Sequence, residues 1–114
     1  MTININDLTF STIIGLLDFE RVNEQKVIID CIIEYDYQDN FINYADIVKL
    51  IENTIKTQKF ELIEEALLYL EKKLHVKFPN ISTLELKITK PDILDNCTVS
   101  VGNKAIFKGS WKKF

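Results

Sequence analysis

Lys26-Val27-Ile28-Ile29-Asp30-Cys31-Ile32-Ile33-Glu34-Tyr35-Asp36-Tyr37 reads as a β-strand with two unequal faces, and the rest of the fold is built outward from it. Val27, Ile29, Cys31, Ile33 and Tyr35 occupy alternate positions, so they share one side, while Asp30 and Glu34 fall on the other. Ile28 and Ile32 lie on that second side as well, which predicts a strand partly covered on both faces. Such a strand needs neighbours. Upstream, residues 3–14 are rich in Ile, Thr and Phe and stop at Gly15, which predicts a first strand ended by a natural break.

Downstream the period changes. Asn43 is a plausible N-cap with Asp46 three residues on, and Ile47, Leu50, Ile51 and Ile55 then recur at helical spacing, predicting a helix over residues 44–57. After Gln58-Lys59-Phe60 a second amphipathic helix is expected, because Ile63, Ala66, Leu67, Leu70 and Leu74 share a face until Pro79 forbids continuation. Leu84, Leu86 and Ile88 alternate with Glu85, Lys87 and Thr89, a strand with one wet face. Pro91 and the polar residues 92–96 turn the chain into a last strand that begins near Cys97, includes Val99 and Val101, and resumes over 105–107 beyond Gly102 and Asn103.

The order β-β-α-α-β-β makes an α+β protein, an antiparallel sheet with both helices on one face. Ile28 and Ile32 on the opposite face would meet water in a monomer, so a second subunit or a closed assembly is expected to cover them. With 114 residues and no Pro-, Gly- or Ser-rich linker, one domain spanning residues 1–114 is expected.

Composition removes several classes. Hydrophobic residues at 46% and charged residues at 27% describe a folding chain rather than a disordered one. A net charge of −3 gives no general attraction to nucleic acid. Lys104, Lys108, Lys112 and Lys113 do alternate with Phe107, Trp111 and Phe114, which reads as a terminal strand with a solvated tail rather than a nucleic-acid surface. No apolar run reaches the roughly 20 residues of a membrane span, and the first residues lack the basic-then-apolar order of a signal peptide. The expectation is a soluble, cytoplasmic protein without a membrane partner. Cys31 and Cys97 sit in apolar, strand-like runs and are expected to be buried thiols. Three glycines cannot build a phosphate-cradling loop, and His75 is the single histidine, which leaves no zinc ligand set. Near the end of the second helix, His75 reads as a cation at the macrodipole's negative end or as a solvated ring.

Four clusters, in this order, resemble the bacterial dihydroneopterin aldolases: Ile14-Gly15-Leu16-Leu17-Asp18-Phe19-Glu20-Arg21 with Gln25, then Asn43-Tyr44-Ala45-Asp46, then Phe60-Glu61-Leu62-Ile63-Glu64, and Ile88-Thr89-Lys90-Pro91. The resemblance covers residues 5–101 and implies the tunnelling fold, in which four subunits join their sheets into a barrel and two such rings commonly stack. It implies a metal-free lyase without a cofactor, acting on a pterin on the route to folate, with active sites shared between subunits of a tetramer ring or octamer.

Each key residue also has a plain reading. Glu64 alone is a carboxylate at a helix N-terminus. By resemblance it accepts paired hydrogen bonds from the pterin's ring N–H and amino group, helped by the backbone of Ile63; a carboxylate suits this because it only accepts. Lys90 alone is a solvated residue before a loop; by resemblance it is catalytic, stabilising charge that develops on the ring as a side-chain carbon–carbon bond breaks. Glu20 alone is a surface charge after the first strand; by resemblance it contacts the side-chain hydroxyls and helps remove the hydroxyl proton. Tyr44 alone is a packing residue; by resemblance it reaches the site from the neighbouring subunit and relays the proton that must reach carbon.

The chain departs from many relatives in carrying Asn43 where His or Ser is common, in a shorter loop after Lys90, and in its tail from Gly102 onward. The rivals are a related epimerase acting on dihydroneopterin or its triphosphate, and a non-catalytic tunnelling-fold protein that binds a purine-like ligand. Thr89-Lys90-Pro91 resembles the aldolase version of that cluster, and Tyr44 stands where oxygenases of the fold commonly carry Phe. Keeping Lys90 and Tyr44 with Glu64 argues against simple ligand binding, which needs no proton relay.

Overall fold

The computed structural model of the protein describes residues 1–107; Lys108, Trp111, Lys112, Lys113 and Phe114 of the basic and aromatic tail lie outside the described residues. The elements run β1 (Thr2–Thr12), α1 (Asp18–Val22), β2 (Gln25–Tyr35), α2 (Tyr44–Gln58), α3 (Ile63–Lys77), β3 (Ile81–Lys90) and β4 (Val99–Ile106). The strands form one sheet in the order β1-β2-β3-β4, every pair antiparallel. α2 packs on β1, α3 packs on β3 and β4, and the helices touch each other. The expected α+β arrangement is the observed one, with the short helix α1 added between the first two strands.

The core follows from the two periodicities. Val27, Ile29, Cys31, Ile33 and Tyr35 of β2 face Ile47, Ile51 and Ile55 of α2 and Leu67, Leu70 and Leu74 of α3 across one continuous buried cluster. Each fully buried aliphatic side chain contributes about 1.5–3 kcal/mol relative to exposure, so these rows fix which face of the sheet the helices cover. The Asn43 side chain accepts a 3.0 Å hydrogen bond from the Ala45 N–H, as an N-cap should, and α2 ends at Lys59 in the left-handed conformation.

β1 is less regular than its sequence suggests. Its register against β2 slips between Ile5 and Leu8, where Asp7 takes a φ of 60° and its N–H is held by the Asp30 carboxylate at 3.0 Å. That bulge carries the inward row from Ile3 and Ile5 to Leu8 and Phe10, a change of parity that keeps apolar residues on the helix side. The expected strand over residues 3–14 ends earlier, at Thr12, and Ile14 is fully buried beyond it.

Two expectations need correction. Cys97 is exposed, because β4 starts after it at Val99; Cys31 is buried as expected. His75 lies in the last turn of α3 as expected, but its ring is half-buried rather than solvated: it stacks on Phe107 with centroids 3.9 Å apart and planes 2° from parallel. On the far side of the sheet Ile28 is half-buried and Ile32 is 38% exposed. Their cross-strand neighbours Thr9, Thr89, Asn4 and Glu85 are polar, so that face is less apolar than the sequence reading implied.

Candidate active site

The chain leaves β1 at Thr12, buries Ile14 and turns at Gly15, which has a φ of 132°. Only glycine tolerates that backbone cheaply, and a Cβ there would collide with the Glu20 carboxylate and displace it from this position. The turn feeds α1, where Glu20 occupies the third position and reaches back to accept from the Leu17 N–H at 3.1 Å. This return bond folds Glu20 inward. The residue read as a surface charge is 3% exposed.

Lys90 closes β3 in phase with Leu84, Leu86 and Ile88, and so points to the helix side of the sheet. Its Nζ donates to Glu20 Oε2 at 2.8 Å, with the two side chains 10% and 4% exposed. Gln25, the first residue of β2, donates from Nε2 to the same oxygen at 2.8 Å and to the Ile14 carbonyl at 2.8 Å. Burial pushes the Glu20 carboxyl up, but hydrogen bonds from Lys90, Gln25 and the Leu17 backbone, with the charge of Lys90, outweigh it and hold the group below its ordinary value. The pair is thus an ionised carboxylate receiving a cationic donor in a nearly dry setting.

Ile63 and Glu64 open α3. Its N-cap is Leu62, which has no side-chain acceptor and so gives the first-turn N–H groups no cap bond. Ile63 is buried, whereas Glu64 is exposed on a groove of about 230 Å³ that it shares with Leu67, Leu68, Val101, Gly102 and Asn103. Val101 pairs with Ile88 and Val99 with Lys90, so the groove borders the strand segment that ends in the Glu20–Lys90 pair. The two loops are tied together as well, since the Gly15 N–H donates to the Phe60 carbonyl at 3.0 Å.

Tyr44 is elsewhere. It opens α2 and is 66% exposed, while the other end of α2 is the one held against the Glu20 loop through Lys59. Fifteen residues of α-helix put those ends about 21 Å apart. Of the sequence-predicted residues, Glu20 and Lys90 meet, Ile63 and Glu64 open the helix that follows the Lys59–Phe60 segment bonded to the Glu20 turn, and Tyr44 stands at the opposite end of α2 from that junction. Gln25 and Gly15, quoted in the first resembling cluster, are contributors that were given no part in the site from sequence. Gln25 carried a signal, since it falls in register with the apolar row Val27, Ile29 and Cys31.

Among the described residues no group of three or more His, Cys, Asp and Glu side chains is placed to hold a metal ion, and no helix is long and apolar enough to cross a membrane.

Comparison with known proteins gives these features a context. The family described as dihydroneopterin aldolase (FolB) matches residues 3–104 of the chain. No curated protein matches the sequence. Among solved structures, a Vibrio cholerae protein assigned as a dihydroneopterin aldolase superimposes with a TM-score of 0.85 at 21% identity, over 94% of this chain and 98% of that one. An E. coli dihydroneopterin aldolase in complex with neopterin gives 0.82 at 24% identity, over 92% of this chain and 98% of that one. A Bacillus sp. urate oxidase gives 0.75 at 7% identity, over 93% of this chain but 46% of its own. At such identities the structural likeness concerns the fold.

Proposed function

The chain belongs to the dihydroneopterin aldolase family, and from that premise we propose that it is a lyase of folate biosynthesis that splits 7,8-dihydroneopterin into 6-hydroxymethyl-7,8-dihydropterin and glycolaldehyde without a metal ion. The observation that carries this reading is the buried Glu20–Lys90 pair, 2.8 Å apart, on a turn bonded through Gly15 to the segment that leads into α3 and its acceptor-only carboxylate Glu64.

In this reading Glu64 and the uncapped N-terminal backbone of α3 take the hydrogen-bonding edge of the pterin, where charge-assisted bonds contribute about 1.5–3 kcal/mol each. A related E. coli enzyme holds neopterin and a Burkholderia thailendensis enzyme holds guanine, heterocycles that share this 2-amino edge. The substrate's side chain then extends toward Glu20 and Lys90. The pair, acting through a water, removes the proton of the hydroxyl on the second side-chain carbon; the bond to the first carbon breaks, and its electrons enter the ring's carbon–nitrogen double bond. Lys90 stabilises the charge arriving there, an interaction made in the transition state rather than with the bound substrate. Proton delivery to the first carbon completes the product, and Tyr44 of a neighbouring subunit supplies the phenol for that relay. The distance between Tyr44 and the pair within one chain supports a site shared between subunits, and β1 and β4, the outer strands of the sheet among the described residues, are where sheets would join.

The decisive assay incubates the purified protein with 7,8-dihydroneopterin in excess chelator and separates the products by chromatography. Both products should form at a rate the chelator does not alter. Recovery of epimerised substrate alone would reassign the protein to epimerase chemistry, and inhibition by the chelator would remove the metal-free mechanism.

A further inference from the structure

Arg21 follows Glu20 in α1, yet its guanidinium does not serve the carboxylate beside it. Nη1 donates to the Gly15 carbonyl at 3.0 Å and to the Phe60 carbonyl at 3.3 Å, and Nη2 donates to the Lys59 carbonyl at 3.0 Å. Among the described residues it forms no ion pair. The three acceptors belong to two separate loops. Gly15 lies in the turn that shapes the Glu20 pocket, whereas Lys59 and Phe60 follow the C-terminus of α2 and lead, three residues on, into Ile63 and Glu64.

Carbonyls at the end of a helix carry partial negative charge and lack intrahelical partners, so a cation there is favourable. That explains why Arg21 binds Lys59. It does not explain the third bond, back to Gly15, which brings the catalytic turn under the same guanidinium. A planar fork with fixed N–H directions can join two loops rigidly, where the single ammonium of a lysine cannot. The Gly15 N–H donating to the Phe60 carbonyl reinforces the same junction from the backbone.

We propose that Arg21 is a positioning residue: it clamps the loop before α3 to the α1 turn and so sets the separation between the pterin anchor, Glu64, and the bond-breaking pair Glu20–Lys90. The proposal rests on the reading of the site as a pterin lyase. Arg21 itself touches no substrate. With the clamp cut, anchor and pair each remain intact, so binding persists while the alignment of the scissile bond is lost; small misplacements of this kind lower turnover steeply.

The test uses the full chain with Arg21→Met and Arg21→Lys, assayed well below the melting temperature of each. For Arg21→Met, kcat should fall about tenfold or more while the dissociation constant of neopterin, a ligand without the cleavable dihydro ring, changes by less than about threefold; Arg21→Lys should fall between the two. Amide hydrogen exchange should rise at Gly15 and over residues 60–64 in Arg21→Met and stay unchanged at Ile29. Parent-like kcat in a folded Arg21→Met, or unchanged exchange at Gly15, would overturn the proposal. If Arg21→Met does not fold, Arg21→Lys decides, and a parent-like kcat there overturns it equally. A parent protein that cleaves no dihydroneopterin fails the functional reading instead, and the exchange comparison then still judges the clamp.

Discussion

Lys90 and Glu20 face each other where water hardly reaches, so removing either leaves a charge without its partner. Breaking such a pair typically costs about 3–5 kcal/mol. Lys90→Ala should therefore lower stability by that order in a denaturant titration and abolish turnover while pterin binding survives. Glu64 lies on an exposed helix N-terminus, so Glu64→Ala should leave stability nearly unchanged and weaken binding first. Equal losses of binding and turnover in both variants would contradict the assigned roles. The carboxyl of Glu20 has a second consequence, because its folded pKa is depressed. Its contribution is fully present above the unfolded-chain value of about 4.3 and is lost as pH falls through the lower folded value. The parent should lose stability relative to Glu20→Gln below roughly pH 4.3 and show a flat difference between roughly pH 5 and 7; parallel acid limbs would exclude Glu20 as the cause. These two residues were only half legible. Lys90 falls in step with Leu84, Leu86 and Ile88, a polar side chain on a buried row, and that phase marks it without any relative to compare. The burial of Glu20 depends on a turn whose φ no periodicity reveals.

The helices were the most readable elements, since a cap and a repeat at helical spacing specify both a start and a face. Asn43 makes its cap bond to Ala45, so Asn43→Ala should lower stability by about 1 kcal/mol, and Asn43→Asp should restore most of it, measured by thermal or denaturant melting. No change on Asn43→Ala would mean that α2 is held by packing alone. α1 went unread because five residues are too short for any helical period, and its one sequence mark, Glu20 in a capping position after Leu17, lacks a polar N-cap. β1 was read from its Ile, Thr and Phe content and the break at Gly15, neither of which carries register, so the switch of its inward residues from odd to even numbers at Asn6-Asp7 left no mark in that reading. At β4 the error was one of start: Cys97 was grouped with Val99 and Val101, although the loop after Pro91 runs through it.

For the whole molecule, the separation of Tyr44 from Lys90 is the decisive fact. If each site draws the phenol from one subunit and the ammonium from another, Tyr44→Phe and Lys90→Ala proteins, each nearly inactive, should regain activity after being unfolded together and refolded. Separate refolding followed by mixing without exchange should not restore it. Failure of the co-refolded mixture, at an oligomer mass equal to the parent's, would place the whole site in one chain. The expectation of a multi-subunit protein came from Ile28 and Ile32, which turn out to be sparse among polar neighbours; the stronger argument lies in α2, and required coordinates.

α2 also has a bearing on how the chain can change over time. One end is pinned to the turn beside Glu20 and the other presents Tyr44, so under the proposed shared site its length would work as a ruler between two neighbouring reaction centres. Adding a single residue would swing Tyr44 about 100° around the axis and advance it about 1.5 Å, which no side-chain adjustment can reverse. Insertions and deletions should be tolerated in the connections at residues 36–43 and 91–98 and rejected inside this helix, a pattern that a library of single-codon insertions would expose.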